Sequence, residues 1–462
     1  MKKTFIIASV MMATIFAGCT KEAFEQDKNI LTENNTSTES EESTKGDHIT
    51  LTVSAVTKDS EAATGMRIAY GSTDATWETG DKIFLVKSDG TTITLTLSAG
   101  AGTSTGSFTS TDPIVAGTYT PYAVSASSIT KGFVSISEGV ITLNLSSPGG
   151  GTLADALEHD ILKGDAIVLE DDQESATITG LTTHMLSYLR FKFTATEKAI
   201  STIGMSSTGG VYRTVTIAAD GTVSGSNSST DVVSVSAGDD GANNYSGYFA
   251  VYGSTTTSLL AHAEDEDEGK YTRLVSVKDA NYTAGNVYGK SFTLSAAMMT
   301  AAATGQLSSQ NWKNLGLSVK WAEFYVNTSE EFAYDRSFDT NGNTDPPASW
   351  TGWRHPTREE VNELYYASTL EWVSTGPNGM KFTCNDNYIT MGASGYHYDW
   401  EIDDRDSQVG ESIYFFIDEV EGSNRLWTKI TSTGFSIYNA NSRCTNVRCY
   451  TYFGAMRLVC DY

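Results

Sequence analysis

Hydrophobic and polar residues alternate in several short segments of the first 300 positions, a pattern typical of strands with one buried face. Residues 48–56 read HITLTVSAV, with an apolar side chain at every second position. The same alternation recurs at 91–97 and at 140–145, and loops rich in Gly, Ser and Thr separate these segments. Short strands with frequent turns and almost no helical periodicity predict a β-sandwich fold for this part of the chain.

One later segment, residues 352–364 (GWRHPTREEVNEL), predicts a helix instead. Thr357 is followed by Glu360 three positions on, so each side chain can cap a backbone donor of the other, and apolar residues continue at helical spacing. The helix should therefore begin at Thr357. Trp353, just upstream, is expected to pack over this helix or a neighbouring strand, in the core of its domain.

The length and a change in composition predict the domain organisation. A chain of 462 residues suits about three domains of ordinary size. Residues 296–304 (AAMMTAAAT) interrupt the strand pattern, and seven of the eight Trp residues follow them. A region rich in Thr and Ser thus gives way to one rich in Trp, Tyr and Asp, which places a domain boundary near residue 300.

Charge and motif content exclude several classes of function. The chain has 31 Lys and Arg against 56 Asp and Glu, a formal charge of -25, so we expect no binding to nucleic acid or to an anionic membrane surface. Its histidines are scattered, and no motif of a hydrolase, metalloprotease or phosphate-binding loop is present. The sequence predicts no enzyme activity and no cofactor.

Two acidic segments raise the question of a metal site. Residues 264–268 (EDEDE) carry carboxylates suited to calcium, but five adjacent like charges favour the solvated tip of a hairpin. Residues 339–345 (DTNGNTD) alternate oxygen ligands, yet the glycine is misplaced for an EF-hand and no Glu follows at the required distance. We predict a polar surface turn there and no metal site in either segment.

The first 18 residues predict a secretory signal. Lys2 and Lys3 precede an apolar run, residues 5–16, that is too short to span a bilayer. Small residues directly before Cys19 resemble the lipobox of bacterial lipoproteins, although a Phe stands where Leu is usual. The resemblance implies cleavage before Cys19 and acylation there, with chains such as palmitate anchoring a precursor in the outer membrane. The alternative is a buried cysteine in an ordinary signal.

Residues 19–47 predict a disordered tether. They are rich in Thr, Ser, Asn and Glu and contain very few large apolar residues, so they cannot bury enough surface to fold. A flexible coil of this length reaches roughly 30 Å, enough to lift a domain from a membrane surface.

Motifs that occur in order over residues 48–295 resemble the fimbrillins of Bacteroidales, the Mfa-like lipoprotein precursors of type V pili. The motifs are the alternating first strand, a loop ending in Arg67, WETGDKI at 77–83, HMLSYLRFKF at 184–193 and NYTAGNVY at 281–288. The resemblance implies two tandem transthyretin-like β-sandwich domains, at 48–175 and 176–298.

The same resemblance implies a maturation step in which a trypsin-like protease releases the first strand. Arg67 is the expected cleavage site and Lys58 the second choice, although Arg67 could equally be an ordinary loop residue. Loss of 48–56 would leave unpaired backbone groups and an apolar stripe that a strand from another subunit can cover. The partners implied are therefore other pilus subunits, through donor-strand exchange.

The last part of the chain, 305–462, resembles another family. Its motifs, NLGLSVKWA at 314–322, WRHPTREE at 353–360, NGMKF at 378–382, GASGY at 392–396 and MRLV at 456–459, resemble the C-type-lectin-like domain called the Fibrobacter succinogenes major paralogous domain. The resemblance implies an α+β fold. The E-P-N and W-N-D signatures of calcium-dependent sugar binding are absent, which puts such binding in doubt.

Two sets of candidate residues lie in this C-terminal domain. Four cysteines of an exported protein suggest disulfides, and the alternative is that they are reduced and lie in the core. These four are Cys384, Cys444, Cys449 and Cys460. Aromatic rings can stack on sugars at an exposed surface, and the candidates for such a ligand surface are Trp350, Tyr398, Trp400, Tyr450 and Tyr452.

The leading hypothesis is a tip subunit and adhesin of a type V pilus, located at the cell surface and in the fimbrium. A stalk subunit donates a C-terminal strand, whereas this sequence closes on a motif of its own C-terminal domain and offers no obvious strand to donate. The C-terminal domain would then be the outermost part, or head, and would contact a host or bacterial glycan or protein receptor. One alternative is a surface lipoprotein that does not polymerise and binds glycans for nutrient capture. Another is a membrane-proximal anchor subunit.

Overall fold

The computed structural model describes residues 25–26, 50–54, 76–103, 105–110, 112, 114–171, 173–178, 181–255, 258–276, 280–307, 310–323, 325–326, 332–333, 346, 351–374, 378–393, 396–399, 405–407, 411–421, 424–438, 451–453 and 458–462. Strands form most of the described chain, and antiparallel pairing dominates. The prediction of a mainly β protein is confirmed.

The first part of the described chain forms β-strands and two short helices. They are β1 (Glu25–Gln26), β2 (Thr50–Ser54), β3 (Lys82–Lys87), β4 (Thr92–Ala99), β5 (Thr105–Thr109), β6 (Gly117–Val124), α1 (Ala126–Thr130), β7 (Val134–Ser137), β8 (Val140–Asn144), α2 (Leu153–Leu157), β9 (Leu162–Lys163), β10 (Ile167–Leu169), β11 (Ser175–Ile178) and β12 (Thr183–His184). The alternating segments at 48–56, 91–97 and 140–145 correspond to β2, β4 and β8.

A nine-stranded sheet organises this first domain. Its strand order is β11-β2-β5-β4-β3-β6-β9-β12, and β10 pairs with β6. The apolar face of the sheet closes over a core in which Trp77 meets Phe108 edge-on, with ring centroids 4.9 Å apart. Both side chains are buried, so Trp77 belongs to the core although it lies close after the gap that follows β2.

The WETGD motif makes the turn into β3. Gly80 has φ +92°, a conformation that favours glycine, and the Asp81 carboxylate is fully buried. That carboxylate accepts hydrogen bonds from the backbone N–H of Glu78 at 2.8 Å and of Ala126, the first residue of α1, at 3.0 Å. The motif is therefore structural, since it fixes the turn to the start of a helix.

The second part forms two facing sheets. Its elements are β13 (Ser187–Ala195), β14 (Ile200–Ser207), β15 (Thr214–Ile217), β16 (Val223–Ser226), β17 (Val233–Ser236), β18 (Gly238–Gly241), β19 (Asn244–Val251), β20 (Ser254–Thr255), β21 (Leu259–Asp265), β22 (Lys270–Ser276), β23 (Ala280–Asn281), β24 (Val287–Leu294) and α3 (Ala296–Thr300). The sheets β1-β24-β13-β19-β18 and β17-β14-β21-β22 enclose one apolar core.

Two strand pairings cross the boundaries expected from the sequence. β8 pairs with β15 in a sheet of order β16-β15-β8-β7, so the two sandwiches share strands. β11 pairs with β2, so a boundary at 175 would separate β11 from the sheet to which it belongs. Within the predicted tether, Glu25–Gln26 pairs with β24, because β24 otherwise presents an open edge to which a strand can add.

The C-terminal part contains many short strands and one longer helix. They are β25 (Thr304–Leu307), β26 (Gln310–Lys313), β27 (Lys320–Ala322), β28 (Tyr325–Val326), β29 (Phe332–Ala333), β30 (Trp353–Arg354), α4 (Arg358–Ala367), β31 (Thr369–Val373), β32 (Gly379–Cys384), β33 (Asn387–Gly392), β34 (Tyr396–Asp399), β35 (Arg405–Ser407), β36 (Ser412–Glu421), β37 (Asn424–Thr431), β38 (Gly434–Tyr438), β39 (Thr451–Phe453) and β40 (Val459–Cys460).

The start of α4 is as predicted. Thr357 is the N-cap: its hydroxyl accepts from the N–H of Glu360, and the Glu360 carboxylate accepts from the N–H of Thr357 at 2.8 Å. Val361 and Leu364 are fully buried in the core of this domain. Trp353 is buried as well, and its indole N–H donates to the Leu307 carbonyl at 3.1 Å. The prediction that Trp353 is a core residue is confirmed.

Candidate functional site: the strand slot and the C-terminal domain

The strand predicted to be removable lies inside its sheet. β2 runs antiparallel to β5 on one side, with Leu51 opposite Phe108 and Val53 opposite Gly106. On its other side β2 runs parallel to β11. We call the space between β5 and β11, which β2 occupies, the slot. Departure of β2 would expose the backbone edges of two strands at once.

The residues on either side of the slot show which of its positions face the core. Phe108, beside Leu51, and Ile178, beside Val53, are fully buried. Ser175 and Thr177, which pair with the threonines of β2, are exposed. Residues directly opposite on neighbouring strands share one face of a sheet. The alternation read from the sequence therefore agrees with the register of the slot.

A buried carboxylate joins the first domain to the second. Asp160, just before β9, accepts from the Tyr188 hydroxyl at 2.6 Å and lies 2.7 Å from His184 Nδ1. It also accepts backbone hydrogen bonds between 2.8 and 3.1 Å from Ile161, Met185 and Leu186. Burial, followed by the charge of Asp160, raises the pKa of Tyr188 well above its usual range. The HMLSY motif thus closes a polar network at the domain junction.

The second junction holds the C-terminal domain against the edge strand β22. The N–H of Thr272 donates to the Gly316 carbonyl at 2.9 Å, and the buried Arg273 donates to the same carbonyl at 3.1 Å. Arg273 Nη1 lies 4.0 Å from a carboxylate oxygen of Glu363, on α4. The other Glu363 oxygen accepts from the N–H of Ser318 at 2.7 Å. The motif around Gly316 therefore serves as a domain joint.

A tight hairpin adds to this joint. Asn385 and Asp386, between β32 and β33, have φ +49° and +66°. Asp386 forms an ion pair with Lys270 at 2.7 Å, and Thr272 Oγ1 donates to Asn385 Oδ1 at 3.3 Å. The C-terminal domain is thereby placed on β22 by backbone and side-chain contacts together.

The acidic segment 264–268 lies at the turn between β21 and β22, where Glu264 pairs with Lys270. The prediction of a hairpin tip is confirmed, with one difference: Asp265 is buried. Its carboxylate accepts from the Tyr271 hydroxyl at 2.8 Å and lies 3.6 Å from Lys198 Nζ. Within the described residues, no group of three or more His, Cys, Asp or Glu side chains could hold a metal ion.

The candidate ligand surface is described only in part. Tyr398 of β34 and Tyr452 of β39 are direct register partners in an antiparallel pair, so the fold brings these two positions together from 54 residues apart in sequence. Trp350, Trp400 and Tyr450 lie outside the described residues. A ligand surface that includes all five residues stays a prediction.

Two of the four C-terminal cysteines are free and buried, on different strands. Burial raises the pKa of Cys384 to about 12 and that of Cys460 to about 11. Both thiols fit the alternative of reduced core cysteines, because neither forms a disulfide with another described cysteine. Cys444 and Cys449 lie outside the described residues, so disulfides among the four cysteines, whose pairing the sequence leaves open, stay a prediction.

The processing and anchoring residues Cys19, Lys58 and Arg67 lie outside the described residues, as does the segment 339–345. Among the described residues, no helix is long and apolar enough to cross a membrane.

No protein-family model matches the chain, and no curated protein matches its sequence. The chain is similar to the structure of a proposed cell adhesion protein from Bacteroides uniformis, with 16% identity, a TM-score of 0.36 and coverage of 54% of this chain and 93% of that one. It is also similar to the tip fimbrial protein Mfa3 from Porphyromonas gingivalis, with 12% identity, a TM-score of 0.24 and coverage of 49% and 81%. It is similar as well to the fimbrial anchor protein Mfa2 from the same organism, with 10% identity, a TM-score of 0.27 and coverage of 48% of this chain and 79% of that one.

Proposed function

We propose that this chain is a cell-surface pilus subunit that matures by loss of β2 and then accepts a strand from another subunit. The observation that carries the proposal is the position of β2 between β5 and β11. A strand at a sheet edge would leave one open edge when removed. A strand inside the sheet leaves a slot whose two walls both need a new backbone partner.

The C-terminal domain would then be the outermost part of the assembly, and the chain its tip adhesin. β40 pairs with β27 on one side and with β30 on the other. Its two neighbours make β40 an integral strand of the domain's own sheet, which does not favour its donation to a neighbour. Tyr462 follows β40, and its hydroxyl donates to Asn314 Oδ1 at 2.6 Å.

The precursor would be anchored in the outer membrane through acylated Cys19, and cleavage after Arg67, or after Lys58, would free the subunit from its anchor. Both candidate cleavage sites lie between β2 and residue 76, where the described chain resumes. Cleavage there separates β2 from the rest of the chain without cutting any described strand.

The mature N-terminus tests this order of events. We expect assembled material from the native host to begin at Ile68, and the Arg67→Ala variant to remain a lipidated monomer or to be cut after Lys58. Edman sequencing and intact mass measure both outcomes. A Cys19 lipid on subunits within assembled fibres would contradict the proposal.

The ligand of the head is tested on the mature chain rather than on an isolated domain. We expect a glycan array, probed with and without calcium, to show binding that Tyr398→Ala and Tyr452→Ala reduce at least tenfold. Tyr388→Ala is the matched control, because Tyr388 is an exposed tyrosine on a different sheet of the same domain. Absence of binding in either condition would contradict a glycan adhesin and leave a protein receptor.

A further inference from the structure

β11 depends on the strand that is predicted to leave. In the described part of the chain, β2 is the one strand with which β11 pairs, over the four residues from Ser175 to Ile178. We propose that β11 is a placeholder strand: when β2 leaves, β11 moves across the slot and pairs with β5 until a donor strand displaces it. This inference rests on the proposed function, because it requires β2 to depart.

The directions of the strands allow this exchange. β11 is parallel to β2, and β2 is antiparallel to β5, so β11 is already antiparallel to β5. A shift by one strand position requires no reversal of the chain. The new pair would be an ordinary antiparallel ladder, which uses the backbone groups of both walls of the slot.

The side-chain pattern fits as well. One row of paired residues across the sheet contains Ala176, Leu51 and Phe108, and the next row on the same face contains Ile178, Val53 and Gly106. A sideways shift keeps each residue in its row and therefore on its face of the sheet. Ile178 is already fully buried, and it would stay on the core face.

The connections on both sides of β11 permit the movement. Strands sit about 4.8 Å apart, and one extended residue spans about 3.3 Å. Residues 170–174 connect β11 to β10, and residues 179–182 connect it to β12. β10 is held by β6, and β12 by β9, independently of β2. In the strand order both anchors lie on the β5 side of the slot, so the shift moves β11 toward them and does not stretch either connector. Both anchors remain after cleavage.

The placeholder would be displaced by a better strand. Ala176 occupies the row that Leu51 fills in β2, so closure by β11 buries less apolar surface than the original strand did. β11 is also one residue shorter than β2. A closed slot protects the free subunit from non-specific pairing of its open strand edges with other chains. A donor strand with a large side chain in the Leu51 row would make the core contacts that β11 lacks.

Disulfide trapping in the full chain tests the movement. Thr177→Cys and Ser107→Cys place thiols in one row, with Thr52 between them. Before cleavage the two positions are about two strand spacings apart, beyond the roughly 7 Å limit for a disulfide. After closure they would be adjacent. The Thr52→Cys and Ser107→Cys pair is the positive control, since these positions are direct partners before cleavage.

The variant carries a site-specific protease sequence in place of residues 61–67, and peptide mass spectrometry identifies the bond, so the native cysteines need not be changed. We expect the 107–177 bond to form at least tenfold more in the cleaved than in the uncleaved chain, and the bonded chain to lose binding of a synthetic 48–56 peptide. Size-exclusion chromatography reports whether the N-terminal fragment leaves. A fragment that stays seated overturns both the proposed function and the placeholder. A fragment that leaves without formation of the bond overturns the placeholder alone.

Discussion

Replacing Asp160 by Ala tests whether the buried network at the first domain junction stabilises the fold. The Asp160 side chain is 1% exposed and has five hydrogen-bonding partners: three backbone N–H groups, the Tyr188 hydroxyl and His184 Nδ1. The Ala variant leaves all five without this acceptor. The Asn variant keeps the shape and one carbonyl oxygen, so it separates the loss of the acceptor from the creation of a cavity.

The magnitude follows from the number of groups left unpaired. Each buried donor without a partner costs about 1–3 kcal/mol, but water entering the space left by the carboxylate will satisfy some of them. Removing one member of a buried charged network costs about 3–5 kcal/mol, which is the loss in unfolding free energy that we expect for Asp160→Ala. Asp160→Asn should lose about half as much, because the oxygen that receives the backbone donors can be retained.

Urea unfolding, followed by intrinsic fluorescence and by circular dichroism, measures the loss. The matched control is Asp240→Ala, because Asp240 is likewise an aspartate with a side-chain partner in the second domain, Arg190 at 2.9 Å, but is 35% exposed. A surface pair of this kind contributes about 0–1 kcal/mol. If Asp160→Ala and Asp240→Ala had equal effects, the network would be a consequence of the junction and not a cause of its stability.

Three further predictions concern other parts of the chain. Gly316→Ala should lower the unfolding free energy by at least about 2 kcal/mol, because Gly316 has φ +70° and an added Cβ would lie 2.2 Å from the Lys270 carbonyl oxygen. Hydrogen exchange should be faster in the C-terminal domain of this variant. Gly434→Ala is the control, because Gly434 has open space around it. Burial lowers the pKa of His262 to about 4, so between about pH 6.5 and 4 the unfolded chain binds a proton that the folded chain does not. The unfolding free energy should therefore fall by about 3 kcal/mol as the pH is lowered over this range. His262→Gln should flatten this part of the plot of unfolding free energy against pH. Arg273→Met alone should cost about 3–5 kcal/mol in unfolding free energy, whereas the Arg273→Met and Glu363→Leu double variant should recover most of it. A double-variant loss equal to the sum of the two single-variant losses would show that the two side chains act independently.

Local signals in the sequence were sufficient for elements that depend on neighbouring residues. The capping pair Thr357 and Glu360 located the start of α4, and strict alternation located β2. A second signal of the same kind, Thr152 with Asp155, caps α2 and was readable from the sequence, but α2 has only five residues and shows no helical periodicity of its own.

Long-range pairing was beyond local signals. β8 and β15 lie some 70 residues apart in sequence and still share a sheet, because each has one apolar face that an adjacent sandwich can cover equally well. Four of the five partners of Asp160 lie 24 to 28 residues beyond it, and a single Asp before a strand gives no sign that it will be buried. β11 was missed since SATI is too short to show alternation.

The two domain junctions bear on how the head and the slot are related. Apolar contacts alone would permit small rotations, since they have no direction. Buried Asp160 and buried Arg273 each have several partners at fixed positions, so a rotation that separates either group from its partners leaves a buried charge poorly compensated. The shared sheet of β8 and β15 adds backbone hydrogen bonds to the first junction. A displacement of the C-terminal domain would therefore be transmitted to the first domain, which contains the slot, through these buried polar contacts and through the sheet that β8 and β15 share.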